Sequence, residues 1–368
     1  MKMGIFPIFA GERGGGPETY ERQLVDHITA LEPDSQFHVY CFSQNAVNAF
    51  GIDRPNTTFY VLQPGNRWLS LPFGLPMSLK RSGVDLYHAT FVPAPMSPKP
   101  YVFTMHDVSP FTRPEFYPKT IRMRLNWLVK KGLRTARLIL CISEDCRQTT
   151  AELFGVSLDR MVVVHHGVNP KLSPAPQPEI LERHYGIRGK YVLYVGKLEA
   201  RKNIVRLIEA FSRLISETDF GGNLVLAGRR FWDLDGIDET VARCGLADRV
   251  QELGYVPDEH LSALYSGAEL FVLPSLWEGF GLPVLEAMAC GTPVVTSAVS
   301  SIPEVAGDAA AFVDPHSVDS IAEGMGKVMT CPRVARSMSE RGIKRASEFT
   351  WAKTAKETLA AYRQALAM

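Results

Sequence analysis

The chain has 368 residues, more than one ordinary core organises, so two domains are expected. It is 46% hydrophobic and 21% charged with a net charge of +1, which fits a globular protein and gives no electrostatic footprint for nucleic acid. No apolar run reaches the ~18 residues of a membrane span, so no spanning helix is expected.

The apolar part of the first ten residues is short, holds Pro7 and runs into Glu12 and Arg13, which reads as a first β-strand rather than a signal peptide. Short β-branched or apolar runs then alternate with helix-like stretches, the pattern of α/β folds with parallel sheets. Strands are expected at residues 3–9, 37–41, 58–61, 86–88, 101–105, 138–142 and 161–164. A Pro-rich stretch over 169–178 reads as an interdomain linker. The alternation restarts with strands expected at 191–195, 223–227, 250–252, 270–273, 293–296 and 311–313, and residues 351–366 carry apolar residues at helical spacing. The six cysteines are scattered without a Cys-x-x-Cys pair, which reads as reduced thiols in a cytosolic protein without a structural zinc site.

The most informative segment is Glu278-Gly-Phe-Gly-Leu-Pro-Val-Leu-Glu286. Pro283 suits the first turn of a helix, because its missing N–H would be unbonded there anyway. The N–H groups of Gly281 and Leu282 are then left at the positive end of that helix, where a diphosphate fits, and Gly279 with Phe280 completes the turn. The bracketing carboxylates can hold sugar hydroxyls. For Glu278 the alternative is a capping box with Ser275, and for Glu286 an ordinary first-turn carboxylate. Lys197 ends a strand, and Arg201-Lys202 sits four residues on, before a helix at 203–214. Strand C-termini are where open α/β sheets bind ligands. The alternative is a solvated basic turn, with one of the three cations pointing to water.

In the first half, Gly14-Gly-Gly16 lies between a strand and a helix beginning near Pro17. It is not a Gly-x-Gly-x-x-Gly fingerprint, so it gives no case for a nicotinamide cofactor. His106 follows the apolar run 101–105 at its C-terminal end, with Asp107 beside it. His165-His166 has no apparent third ligand and reads as structural rather than metal-binding. Residues 119–137 interleave Lys119, Arg122, Arg124, Lys130, Lys131, Arg134 and Arg137 with apolar side chains. They form either a helix with one solvated face or a surface that meets anionic lipid.

Several segments resemble one family: Tyr194-Val-Gly-Lys-Leu-Glu-Ala-Arg-Lys-Asn203, Leu226-Ala-Gly228, Gly254-Tyr-Val256, Pro274-Ser-Leu-Trp-Glu278, Glu286-Ala-Met-Ala-Cys-Gly291 and Pro303-Glu304. In order and spacing they resemble the donor domain of retaining family 4 glycosyltransferases. The first half is similar more loosely, through Gly14-Gly-Gly16, Thr104-Met-His-Asp107 and Ser143-Glu144. The resemblance implies the GT-B fold: α/β, two Rossmann-like domains facing across a cleft. They are expected at 1–170 and 171–350, with the helix from 351 crossing back to the first. A plain terminal helix on the second domain is the alternative.

The resemblance also implies roles. Glu278 contacts sugar hydroxyls and Glu286 the ribose. Gly279, Phe280, Gly281 and Leu282 lie by the diphosphate, and Lys202, with Lys197 or Arg201, holds its charge. The turn at Tyr255 and Val256 meets the base through backbone atoms. Gly15 and Gly16 border donor phosphate and acceptor, and His106 hydrogen-bonds the donor sugar. The implied reaction is metal-independent front-face transfer, with retention, of a hexose to a glycan or lipid-linked glycan. No Asp-x-Asp metal motif appears at a strand end, and no cofactor is expected. Bacterial mannosyl- or rhamnosyltransferases of surface polysaccharide synthesis are similar in the 104–110 region, which favours GDP-mannose or a related GDP-sugar. A UDP-hexose donor, or a nucleotide-sugar epimerase of the same fold, is the alternative. Epimerases lack the Gly-Phe-Gly turn and carboxylate spacing found here. A cytoplasmic enzyme, in peripheral contact with the inner face of an anionic membrane, completes the expectation.

Overall fold

A computed structural model describes residues 1–12, 15–231 and 236–368. The chain divides into two compact units, Met1–Gly167 with Thr350–Met368, and Val168–Phe349. The first unit is built on seven parallel strands: β1 Lys2–Phe6, β2 Gln36–Cys41, β3 Thr57–Val61, β4 Leu86–Ala89, β5 Tyr101–Met105, β6 Leu138–Cys141 and β7 Met161–Val163. Their spatial order is β3-β2-β1-β4-β5-β6-β7. The order reverses between β1 and β4, and the crevice beyond the strand C-termini at such a switch point is where open α/β sheets bind ligands. Strands β4, β5 and β6 are buried along their whole length, which is why they read as continuous apolar runs.

β1 ends at Phe6, three residues before the expected boundary. Pro7 cannot donate to a ladder, and the N–H groups of Ile8 and Phe9 turn away to a carboxylate of the next helix, Gly16–Leu31.

The second unit holds six parallel strands: β8 Tyr191–Val195, β9 Asn223–Ala227, β10 Val250–Gly254, β11 Leu270–Leu273, β12 Val294–Ser297 and β13 Ala311–Val313. Their order is β10-β9-β8-β11-β12-β13, with the switch point between β8 and β11. The Pro-rich stretch after Asn169 belongs to this unit. The N–H groups of Ser173 and Ala175 lie 3.4 and 3.0 Å from the hydroxyls of Ser262 and Ser266 on the helix Asp258–Ser266.

The terminal helix Trp351–Ala367 packs into the first unit. Trp351, Ala355, Leu359 and Tyr362 share one buried cluster with Met3, Ile5, Leu24 and Ile28. Thr350 caps it, its hydroxyl accepting the Lys353 N–H at 3.2 Å. Gly167 lets the chain pass close by: a Cβ there would lie 2.2 Å from the Trp351 nitrogen. The helix is therefore an element of the first unit's core and not a terminal helix on the second.

Candidate active site

In the second unit, the loops after β8 and β11 meet at the switch point. The β8 loop carries Lys197, Glu199, Arg201 and Lys202, and the β11 loop carries Ser275 to Glu278. A backbone bond from Leu276 N–H to the Arg201 carbonyl, 2.9 Å, ties them together. Lys202 Nζ lies 2.5 Å from Glu278 Oε1, and both side chains are buried. Arg201 donates to Glu278 Oε2 at 3.2 Å, to the Trp277 carbonyl at 2.8 Å and to Glu199 at 2.5 Å. The hydroxyl of Ser275 donates to Glu278 Oε1 at 2.6 Å. Ser300 and Ser301 hold the Glu278 backbone, at 2.9 and 3.1 Å.

Burial would push the Glu278 carboxyl up, but Lys202 and Arg201 outweigh it and hold it down at about 2. For Lys202 the balance runs the other way: burial lowers it against the pull of Glu278. The two partners are thus unequal, with an ionised carboxylate facing an ammonium depressed by burial.

Three expectations change here. Ser275 does bond Glu278, but not as a capping box, because the helix is Leu282–Ala289 and begins after Gly281. None of the three cations points to water alone. Arg201 is clamped by two carboxylates, Lys202 is buried on one, and the half-buried Lys197 ammonium sits 4.6 Å from the Phe231 ring centroid. And Glu278 and Lys202 are one ion pair rather than two independent contacts.

Gly281 has φ +101, a backbone state that L side chains rarely adopt. It turns the chain into the helix Leu282–Ala289, whose positive end carries the Leu282 N–H, while the Val284 N–H bonds the Gly281 carbonyl at 2.9 Å. Pro283 occupies the first turn as expected. Glu286 lies beyond the first turn. It is half-buried and accepts the Tyr265 hydroxyl at 2.7 Å, and burial raises its carboxyl to about 7. Gly254 ends β10, Tyr255 is exposed with the Arg229 guanidinium 5.5 Å from its ring centroid, and Val256 is buried.

In the first unit, His106 follows β5 and is buried. Its Nε2 lies 2.7 Å from the Thr90 carbonyl. A carbonyl only accepts, so Nε2 carries the proton. Burial lowers this imidazole to about 4, so it is neutral at pH 7 and Nδ1 is an acceptor. Tyr20, Phe91 and His166 pack around its ring, with centroids at 4.7, 5.6 and 5.5 Å. His166 is thus part of an aromatic cluster. Asp107 accepts the Ser109 N–H at 2.7 Å. Gly15 (φ +74) precedes the helix and Gly16 is its first residue, whereas Gly14 lies outside the described residues.

No group of three His, Cys, Asp or Glu side chains that could hold a metal occurs among the described residues. Asp233 and Asp235 lie outside them. Residues that sequence reasoning passed over include Glu199, Tyr265, Ser300, Thr90 and Glu21. Asn203 is another, with φ +63 and its amide donating to the carbonyls of Pro274 (3.0 Å) and Pro315 (2.7 Å).

Comparison with known proteins bears on this geometry. The family model "Glycosyl transferases group 1" matches residues 182–345, and "Glycosyltransferase Family 4" matches residues 14–172. An O-antigen chain mannosyltransferase B of Escherichia coli is 37% identical over 281 residues, covering 76% of this chain and 74% of the relative. The serotype-specific mannosyltransferase WbdA of the same species is 32% identical over 273 residues. That match covers 72% of this chain but only 33% of WbdA, so the chain spans about a third of that relative. Among solved structures, a sucrose-phosphate synthase from Thermosynechococcus elongatus superposes with a TM-score of 0.79 at 22% identity, covering 100% of this chain and 99% of the other.

Proposed function

From the premise that this chain belongs to the family 4 glycosyltransferases of GT-B fold, enzymes that transfer a sugar, we propose a donor and a mechanism. The donor is GDP-mannose or a related GDP-sugar, and the acceptor is a glycan or lipid-linked glycan. The observation that carries the site assignment is the buried Lys202–Glu278 pair at the β8/β11 switch point, on the loop that leads into the helix Leu282–Ala289. The mannosyl donor is supported by the names of the two Escherichia coli relatives.

In this reading the diphosphate lies at Gly279–Leu282, where backbone N–H groups and the helix end favour negative charge. Lys202, with Lys197, faces the developing negative charge of the departing diphosphate, and Arg201 holds Glu278 in place. Glu278 accepts from sugar hydroxyls, Glu286 from the ribose, and the backbone at Tyr255 and Val256 meets the base. His106 accepts from a sugar hydroxyl through Nδ1, and Gly15 and Gly16 let ligand and backbone approach.

The bond from anomeric carbon to phosphate oxygen breaks, and the acceptor oxygen bonds to the same face of that carbon. The acceptor's proton passes to the departing phosphate. Retention follows from the shared face, and no divalent metal is needed because charge stabilisation is electrostatic and preorganised.

A screen of GDP-, UDP-, ADP- and dTDP-sugars by thermal shift, followed by turnover with release of nucleotide diphosphate, tests this. GDP-mannose is expected to stabilise most and to release GDP; stabilisation and turnover only with a UDP-hexose would replace the donor. NMR of the product is expected to show the donor's anomeric configuration. Activity abolished by EDTA and restored by manganese would contradict the metal-free step.

A second, specific observation favours peripheral contact with an anionic membrane. The helix Lys119–Thr135 carries six basic residues and no acid, and residues 67–82 add Arg67, Lys80 and Arg81, also without an acid. This local excess stands against a whole-chain charge of +1. Trp68 is 70% exposed and Trp127 57%, and the Arg124 guanidinium lies 4.4 Å from the Trp68 ring centroid, joining the two stretches. Exposed indoles framed by cations suit an anionic interface. Vesicles with anionic lipid are expected to retain the protein at low salt and to lose the double variant Trp68→Ser/Trp127→Ser. Equal retention by zwitterionic vesicles would contradict this.

A further inference from the structure

Glu21 has no part in the reading above, yet it occupies the first unit's switch point. It stands on the helix Gly16–Leu31, is 1% exposed, and reaches the C-terminal ends of both β1 and β4. Oε1 accepts the Ile8 N–H at 2.7 Å and Oε2 accepts the Phe9 N–H at 2.8 Å. Thr90, the residue after β4, places its hydroxyl 2.6 Å from Oε1 and 2.9 Å from the Phe6 carbonyl. The carbonyl of the same Thr90 holds His106 Nε2 at 2.7 Å.

One residue therefore ties three things together. The turn after β1 is fixed at two successive amides. The two strand ends flanking the crevice are bridged. His106 is reached through a single intervening residue. Plain packing does not explain this, because an apolar side chain would fill the same space without the cost of burying a carboxyl. Among the described residues the environment supplies amides and a hydroxyl but no cation, and burial raises the carboxyl to about 7.

We propose that Glu21 is a positioning residue of the transfer reaction. It fixes the chain leading into the Gly15–Gly16 turn and, through Thr90, holds His106 with Nδ1 aimed to accept. This rests on the assignment of His106 to the donor sugar. Glu21 touches no substrate itself. Its substitution acts on kcat and leaves nucleotide binding by the second unit alone.

Kinetics and imidazole 15N NMR on the full chain test this, with Glu21→Gln, Thr90→Val and the conservative Thr90→Ser. Glutamine cannot accept from all its present donors, because its NH2 would face an amide N–H. Glu21→Gln and Thr90→Val are expected to lower kcat about 10–100-fold, with donor KM within about threefold, as misplacement of a binding group does. Thr90→Ser is expected to restore the wild-type rate. In wild type, His106 is expected as the Nε2–H tautomer; in Glu21→Gln and Thr90→Val, tautomers mix. Glu21→Gln in a His106→Ala background is expected to add little loss. Lower thermal stability with unchanged kcat and unchanged His106 tautomer would overturn the proposal. If Glu21→Gln does not fold, the Thr90 pair decides the same question. Should His106→Ala keep full turnover, the reading of His106 fails, while the tautomer shift still reports whether Glu21 positions it.

Discussion

At the β8/β11 switch point, a carboxyl of 5% exposure stays ionised, held down at about 2 with Lys202 and Arg201 facing it. At the β1/β4 switch point, Glu21 is as buried, but amides and a hydroxyl face it and its carboxyl rises to about 7. The same residue type, at the equivalent place in two similar sheets, is driven in opposite directions. Burial alone does not set charge state; the partners do. His106 and His88 extend the contrast. Burial lowers both, His88 to about 3 and His106 to about 4, so both imidazoles are neutral at pH 7. The second unit's crevice is charged. Charged side chains suit a diphosphate and its leaving charge, and a neutral imidazole suits hydroxyls.

The largest break in this contrast comes from removing one charge of the buried pair. Lys202→Met leaves Glu278 facing Arg201 alone, and a buried pair broken on one side typically costs ~3–5 kcal/mol. Denaturant unfolding is expected to show a loss of that order, and Lys202→Met/Glu278→Gln is expected to recover most of it. A double variant as unstable as the single one would mean that the charges do not act as a pair.

Glu286 sharpens the comparison within the second unit, because it is a carboxyl there with no cation facing it among the described residues. Its folded value, about 7, lies above the unfolded 4.5, so its contribution to stability is fully present below 4.5 and lost as pH rises through 7. Relative to Glu286→Gln, wild type is expected to lose stability between those values, by roughly 2–3 kcal/mol. Parallel stability profiles of the two proteins from pH 4.5 to 8 would contradict the cause assigned to the shift. Glu278, depressed, has the opposite sign: its contribution is lost as pH falls from 4.5 towards 2.

The smallest effect belongs to the neutral imidazole of His106. On the proposed assignment, His106→Ala removes one uncharged hydrogen bond to the sugar and is expected to cost about tenfold in turnover. Nucleotide diphosphate affinity measured by calorimetry is expected to stay within about twofold. A large loss of nucleotide affinity would move His106 out of the sugar's neighbourhood.

All thirteen strands were legible because buried parallel strands read as β-branched runs between Gly, Pro and polar turns. The turn at Gly279–Pro283 was legible for a similar reason: Gly281 and Pro283 each have one natural place at a helix start. What stayed hidden is pairing across distance. Lys202 and Glu278 are 76 residues apart, and only the parallel neighbourhood of β8 and β11 brings them together. Glu21 was hidden differently, because between Tyr20 and Arg22 it looks like one more helix-surface acid. Its place on the stripe with Leu24, Val25 and Ile28, at helical spacing and all buried, was the available signal. Local backbone requirements thus show in sequence, while the partner that fixes a charge state does not.

In the proposed site the buried pair divides its labour, with Lys202 serving the diphosphate and Glu278 the sugar. Calorimetric titration of nucleotide diphosphate into wild type, Lys202→Met and Glu278→Gln measures it directly, with turnover followed in parallel. Lys202→Met is expected to weaken binding at least tenfold, as loss of a charge-assisted contact worth ~1.5–3 kcal/mol does. Glu278→Gln is expected to bind within about threefold of wild type while losing turnover about 100-fold or more. Unchanged affinity in Lys202→Met, or an equal loss of affinity in both variants, would contradict the division.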